Sequence, residues 1–212
     1  MSTLRDRAFL PYVLGTTLFA FGFNIVRAAL PFFVEVLMKK NIDYPAPIAV
    51  FGVAALMFPV VGFAAARLGK KPVMLAGAVI LAAALAGFYF VTSATLGVLL
   101  LAVSGVGVSV FLAVPNAILS DICNANALRT GERREAMFFG AQGFLQKINL
   151  GVSTALFALL LEMGRSVDNP IGVRWAGPMA ALALVLAAVC YALYPEHRIR
   201  AELAAGGVSG QE

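Results

Sequence analysis

The chain has 212 residues, 61% of them hydrophobic and only 13% charged, with a mean hydropathy of +0.89. A soluble domain is usually about half apolar and about a quarter charged, so these figures exclude an ordinary water-soluble domain and point to an integral membrane protein. The net charge of +5 does not make a nucleic-acid binder, because the cations fall between apolar runs instead of on one basic surface.

Residues 1–8 form a polar leader carrying Arg5 and Arg7. Six runs then follow, near residues 9–37, 46–66, 72–92, 95–117, 135–163 and 175–194. Each is long enough to cross about 30 Å of hydrocarbon, which takes roughly 20 helical residues. They are continuously apolar, without the alternation that barrel strands need, so the expected fold is an all-α integral membrane domain over 9–194. The first run is too long for a cleavable signal peptide and lacks a small-residue cleavage site. Pro31, Pro59 and Pro115 sit in or at the ends of runs, where membrane helices tolerate breaks.

In the first run Thr17, Asn24, Arg27, Pro31 and Glu35 recur at helical spacing and share one face. Asn24 can donate to and accept from hydroxyls, and the planar fork of Arg27 suits an anionic or hydroxyl-rich group. Glu35, near the outer end, is placed to pair with Arg27 or to gate that end; interhelical packing with one structural ion pair is the alternative. The second connection reads GFAAARLGKKP, a basic loop with glycines at 62 and 69. The fourth run holds GVGVS at 105–109, small residues suited to close helix approach and not a phosphate-binding loop. Asp121 and the loop residues Arg133, Arg134 and Glu135 are expected at the inner mouth, either as salt pairs that break and reform or as a solvated loop.

Lys147 lies about 12 residues into the fifth run, roughly 18 Å at 1.5 Å per residue, which is near mid-bilayer and too deep to snorkel comfortably. An intramembrane charge is a functional-site hypothesis by default; a lysine paired structurally with a neighbouring helix is the alternative. At 100° per residue Gln142, Gln146, Asn149 and Ser153 make one stripe, and Lys147 with Gly143, Gly151 and Thr154 another. The Lys147 stripe is expected to face a cavity and the Gln142 stripe to pack against a helix, with Gln142 and Gln146 kept as solute contacts should the two be exchanged. Trp175 opens the sixth run as an interfacial anchor or a packing residue. The tail over 195–212 is polar and expected to be disordered. Cys123 and Cys190 lack paired spacing and read as reduced thiols. His197, the only histidine, lies outside the runs, and no His/Cys/Asp cluster exists, so neither a catalytic nor a metal site is expected.

Ten lysines and arginines fall on one side of the six-run plan, at residues 5, 7, 67, 70, 71, 129, 133, 134, 198 and 200, and four on the other, at 39, 40, 165 and 174. The positive-inside bias puts both termini in the cytoplasm, in a multi-pass protein of the inner (plasma) membrane.

The basic loop GFAAARLGKKP resembles the cytoplasmic loop motif of the major facilitator superfamily, with Ala66 where that family usually carries an acidic residue. The stretch from 114 to 164 is more specific. Pro115, Asp121, Thr130, Gly131, Arg133, Arg134, Glu135, Gln146 and Lys147 resemble the second half of a glycoside–pentoside–hexuronide:cation symporter of the melibiose permease type. Asn124 stands where a second aspartate often follows in that family, and GFNIVRAALPFFVEVLM resembles its seventh helix. The resemblance implies half of a major facilitator fold, a three-plus-three inverted repeat. It also implies sugar or glycoside transport by alternating access, with the lysine facing the solute path. Coupling to Na+ or H+ is left open, because the family holds its cation largely in the first half; Glu35 and Asp121 are the candidates here. A lone half leaves its cavity wall against lipid, so a parallel homodimer is expected, or pairing with a separately encoded N-terminal half. The chain reads as a natural half-size carrier or a shortened version of a longer one. A water channel and a non-transporting membrane subunit are the competing classes.

Overall fold

The computed structural model describes residues 8–37, 46–166 and 168–209. The leader's basic residues, and Lys39 and Lys40, lie outside these. Among the described residues there is no β-strand, and six helices are long and apolar enough to cross a membrane. They are α1 (Phe9–Phe32, continued by a wider π turn over Phe33–Leu37), α2 (Ala46–Leu68), α3 (Lys70–Gly87, with a 3-10 turn over Phe88–Phe90), α4 (Ala94–Thr130), α5 (Glu135–Glu162) and α6 (Ile171–Ala192). A shorter helix, α7 (Glu196–Ser209), follows.

Helix pairing carries the architecture. α1 packs along α6 and α5, α4 along α3 and α2, and α3 along α6. Exchanging α1 with α4, α2 with α5 and α3 with α6 maps this pattern onto itself: α1–α6 becomes α4–α3, α1–α5 becomes α4–α2, and α3–α6 is unchanged. Successive spans alternate in direction, so α4 runs opposite to α1 and the two triplets are related by inversion. The α1–α4 seam is fixed by aromatic stacking of Phe19 on Phe111 at 4.8 Å. The α3–α4 seam relies on small residues: a Cβ at Gly107 would stand 2.6 Å from Cβ of Leu81. Gly105 faces the Val50 carbonyl of α2 in the same way, so the GVGVS run serves packing.

Three elements depart from expectation. α1 changes to a π turn after Pro31, which has no N–H to give to the ladder; a widened turn accommodates the missing bond. The fourth span does not stop near Ala117 but continues to Thr130, where Gly131, at φ 71°, closes the helix left-handed. Pro115 is absorbed within it, and the extension buries Ile118, Leu119 and Ile122. The tail, expected to be disordered, is helical through Ser209. Its reason is tertiary: Ile199 is buried, Leu203 packs against the core, and Glu196 and Glu202 make ion pairs with Arg200, Arg198 and Arg129.

Candidate solute cleft

α1 and α5 lie side by side, with Phe111 of α4 behind them, and together enclose an open cleft of about 340 Å³. Asn24 and Arg27 enter it from α1, and Gln146 and Lys147 from α5. Ala20 and Phe23 extend the α1 wall; Gly143 and Leu150 extend the α5 wall. Ala20, Phe23 and Arg27 are spaced by three and four, one helical face, so Phe23 was legible from periodicity. Phe111 was not, because nothing in the sequence of α4 announces which face meets α1. Counting along α1 and α5 at 1.5 Å per residue puts Asn24 about 22 Å and Lys147 about 18 Å from their helix starts, within the middle of a hydrocarbon layer of about 30 Å. Arg27 and Lys147 are exposed in the chain, and neither has a hydrogen bond or ion pair among the described residues.

The two stripes of α5 separate cleanly except at one residue. Gln142, Asn149 and Ser153 are buried. The Gln142 side chain meets the hydroxyl of Tyr12 at 2.7 Å, and Asn149 Nδ2 donates to the Thr17 carbonyl at 3.0 Å. These are helix-to-helix bonds, so the structure places Gln142 in packing and not in the cleft. Thr17 contributes its backbone to that seam and does not line the cleft. Gln146 stands at the edge of its stripe, 40° round from Gln142, and turns into the cleft beside Lys147. The Tyr12 hydroxyl is also 2.8 Å from the Pro115 carbonyl. With one proton to give, it satisfies both neighbours if the Gln142 amide is turned to donate, making a Gln142–Tyr12–Pro115 relay across α5, α1 and α4. A second buried pair, Thr16 with Tyr191 at 2.7 Å, ties α1 to α6.

The gating residues are arranged otherwise than expected. Asp121 pairs with Lys70, at 2.6 Å, and not with the loop arginines; Lys70 Nζ also donates to the Ala117 carbonyl. Arg134 turns back to Glu132, two residues away, while Arg133 and Glu135 are exposed. Chain direction explains the difference: the extension of α4 carries Asp121 beside the start of α3, whereas the 130–135 loop lies beyond it. Glu35, within the π turn, is exposed and makes no ion pair with Arg27. Neither Glu35 nor Asp121 lines the cleft.

Sequence reading missed Glu196. Its two carboxylate oxygens accept from the first backbone N–H groups of α3, Lys70 N at 2.7 Å and Lys71 N at 3.1 Å. A carboxylate there satisfies two orphan donors and sits at the positive end of the helix dipole. Lys71 Nζ in turn donates to the carbonyls of Ala192 and Tyr194 at the end of α6. Burial, reinforced by Asp121 and Glu196 nearby, holds the Tyr194 hydroxyl above its ordinary range. This end of the bundle thus has a carboxylate at the basic loop after all, supplied from α7 where Ala66 supplies none.

Two inverted helix triplets with a polar cleft on one open face make up half of a major-facilitator fold. By sequence, residues 1–194 match the MFS/sugar transport protein family, and the chain belongs to that family. It is also similar to an uncharacterized symporter of Synechocystis sp., 30% identical over an alignment of 209 positions that takes in 90% of this chain and 38% of that relative.

Proposed function

We propose that the chain forms one six-helix wall of a secondary carrier that moves a small, polar, sugar-like solute by alternating access. The observation that carries this reading is the cleft in which Asn24, Arg27, Gln146 and Lys147 converge from two helices, with no partner for either cation among the described residues. A centrally placed charge facing lipid costs roughly 2.5–3.5 kcal/mol on insertion scales. A second wall opposite converts the same face into a wet vestibule, where both cations are solvated and free to meet a solute. The volume falls in the range of about 300–1,000 Å³ of small-molecule sites. The basic end, with the Lys70–Asp121 pair, is assigned to the cytoplasm on the positive-inside bias.

The second wall is a second copy in parallel orientation or a separate first-half unit. Charge favours the latter, or a bound anion, because two copies face to face set four cations around one cavity. Proteoliposomes test the carrier reading: saturable uptake with counterflow supports it, whereas flux linear in concentration indicates a channel. Absence of binding and flux indicates a non-transporting subunit. Crosslinking from cysteines on the exposed faces of α2 and α5 in native membranes identifies the partner; a strictly monomeric species overturns the paired-wall arrangement.

A further inference from the structure

We infer that the α2–α3 turn is a binding site for an anionic phospholipid, its phosphodiester met by Arg67 and Arg200 and its acyl chains laid against α2 and α3. The inference needs only a membrane-spanning chain and stands apart from the carrier reading. The turn is made by Gly69, at φ 107°. Arg67 and Lys71 flank it in sequence, and Arg200 reaches it from α7: a Cβ on Gly69 would stand 3.2 Å from Arg200 Nη2. The carboxylate facing this group is Glu196, whose oxygens are already shared among the Lys70 and Lys71 N–H groups and Arg200. Asp121 is engaged by Lys70. The Arg67 guanidinium lies 4.4 Å from the centre of the Phe63 ring and has no ion pair among the described residues. The ring steadies one face of the guanidinium and leaves open its N–H edge, the fork that matches two phosphate oxygens. The Lys71 ammonium gives protons to the Ala192 and Tyr194 carbonyls and keeps a third.

Depth and surface identify the occupant. The 18 residues of α3 span about 27 Å, close to the roughly 30 Å of hydrocarbon. At the far end of α3, Tyr89 packs edge-on against Trp175, an aromatic pair suited to the opposite interface. The cations therefore stand at headgroup level. Running away from them, α3 exposes the apolar stripe Pro72, Ala76, Val79 and Ala83, and α2 exposes Phe63 and Leu68. A free phosphate ion would use the cations and leave this apolar surface uncovered, whereas a phospholipid uses both. A zwitterionic head would set its own cation beside the arginines, so charge complementarity selects an anionic one.

The test adds dioleoyl phosphatidylglycerol, dioleoyl phosphatidylcholine or inorganic phosphate to the full chain purified in dodecyl maltoside. Lipid retained per chain is read by native mass spectrometry, and stabilisation by thermal unfolding. Each arginine near a membrane surface is worth about fivefold toward an anionic lipid, so phosphatidylglycerol is expected to be retained roughly tenfold or more over phosphatidylcholine. That preference is expected to fall about fivefold in Arg67→Gln, to vanish when Arg200→Gln is added, and to survive in Arg67→Lys. It is also expected to survive in Arg133→Gln, which removes an exposed cation from the loop before α5. Arg67→Gln loses only the contact with Phe63, and melting in phosphatidylcholine verifies that each variant folds. Equal retention of the two lipids overturns the inference. So does a preference that persists in the double variant, or one lost equally in Arg133→Gln, which marks diffuse attraction to basic charge. Stabilisation by inorganic phosphate as large as that by phosphatidylglycerol replaces the lipid site with an ion site and overturns it as well. None of these outcomes bears on whether the chain transports a solute.

Discussion

Replacing Glu196 tests whether α7 is part of the bundle or an appendage. Glu196→Ala deletes the acceptors of two backbone N–H groups, Lys70 N at 2.7 Å and Lys71 N at 3.1 Å, together with a 3.3 Å ion pair to Arg200. Hydrogen bonds to a charged group contribute about 1.5–3 kcal/mol each when buried, but these donors are only part-buried and regain water. The scale for losing a helix N-cap, about 0.5–2 kcal/mol, is therefore the better guide. The Arg200 pair is half exposed on the arginine side and adds little. Together these give a loss of about 2 kcal/mol for Glu196→Ala and about half that for Glu196→Gln, which keeps one acceptor. Because Glu196 is also the first residue of α7, its loss releases the helix and exposes Ile199, which is 2% exposed in the intact fold. The assay pairs thermal unfolding of the purified protein in one detergent with maleimide labelling of an Ile199→Cys reporter. In the background Cys123 is buried and Cys190 half-buried, and both are replaced to keep the signal clean. Unchanged melting together with an unlabelled reporter in Glu196→Ala refutes the capping argument.

Four further outcomes follow from other contacts. In a double-mutant cycle of Lys70→Ala and Asp121→Ala, the coupling is expected to be about 1 kcal/mol, since the pair is close but a quarter exposed on each side; additive losses contradict a direct interaction. Gln142→Ala is expected to lower stability by roughly 0.6 kcal/mol and at most about 1.7, the average and the maximum measured for interhelical bonds in membranes, and to leave solute affinity unchanged. Gln146→Ala should show the opposite pattern in the same melting and binding assays, because its side chain lines the cleft. Gly107→Val forces α3 and α4 apart at Leu81 and is expected to cost about 1–3 kcal/mol or more, whereas Gly140→Ala, which meets nothing, is expected to be neutral; equal melting temperatures for the two contradict the close crossing.

The membrane plan was legible because it rests on long-range composition: six apolar runs of sufficient length need no partner to be recognised. The facing of Asn24, Arg27 and Lys147 was legible for a related reason, since a helix fixes relative azimuth and a mid-depth charge has few places to go. What escaped was pairing between segments far apart in the chain. Nothing in residues 118–130 distinguishes a helix that continues from a loop, and its continuation is what brings Asp121 to Lys70, 51 positions away. Glu196 lies 126 residues from the helix it caps, and local polarity alone made its surroundings look unstructured. The Gln142 stripe divided as expected at Asn149 and Ser153 but not at Gln146, because a stripe edge only 40° wide is decided by how the neighbouring helix leans.

The length of α4 has a mechanical consequence. At 1.5 Å per residue its 37 residues span about 56 Å, far more than the roughly 30 Å of hydrocarbon. The surplus protrudes at the end where Lys70 holds Asp121 and Glu202 holds Arg129. A rod of that length tilting by about 10° near mid-membrane sweeps its far tip, beside Arg129, sideways by roughly 7 Å and Asp121, about 14 Å further in, by roughly 4–5 Å. Bonds of 2.6 Å and 3.4 Å cannot stretch so far. Either α3, α4 and α7 swing together as one arm, or each swing must snap those pairs and re-form them on the return stroke.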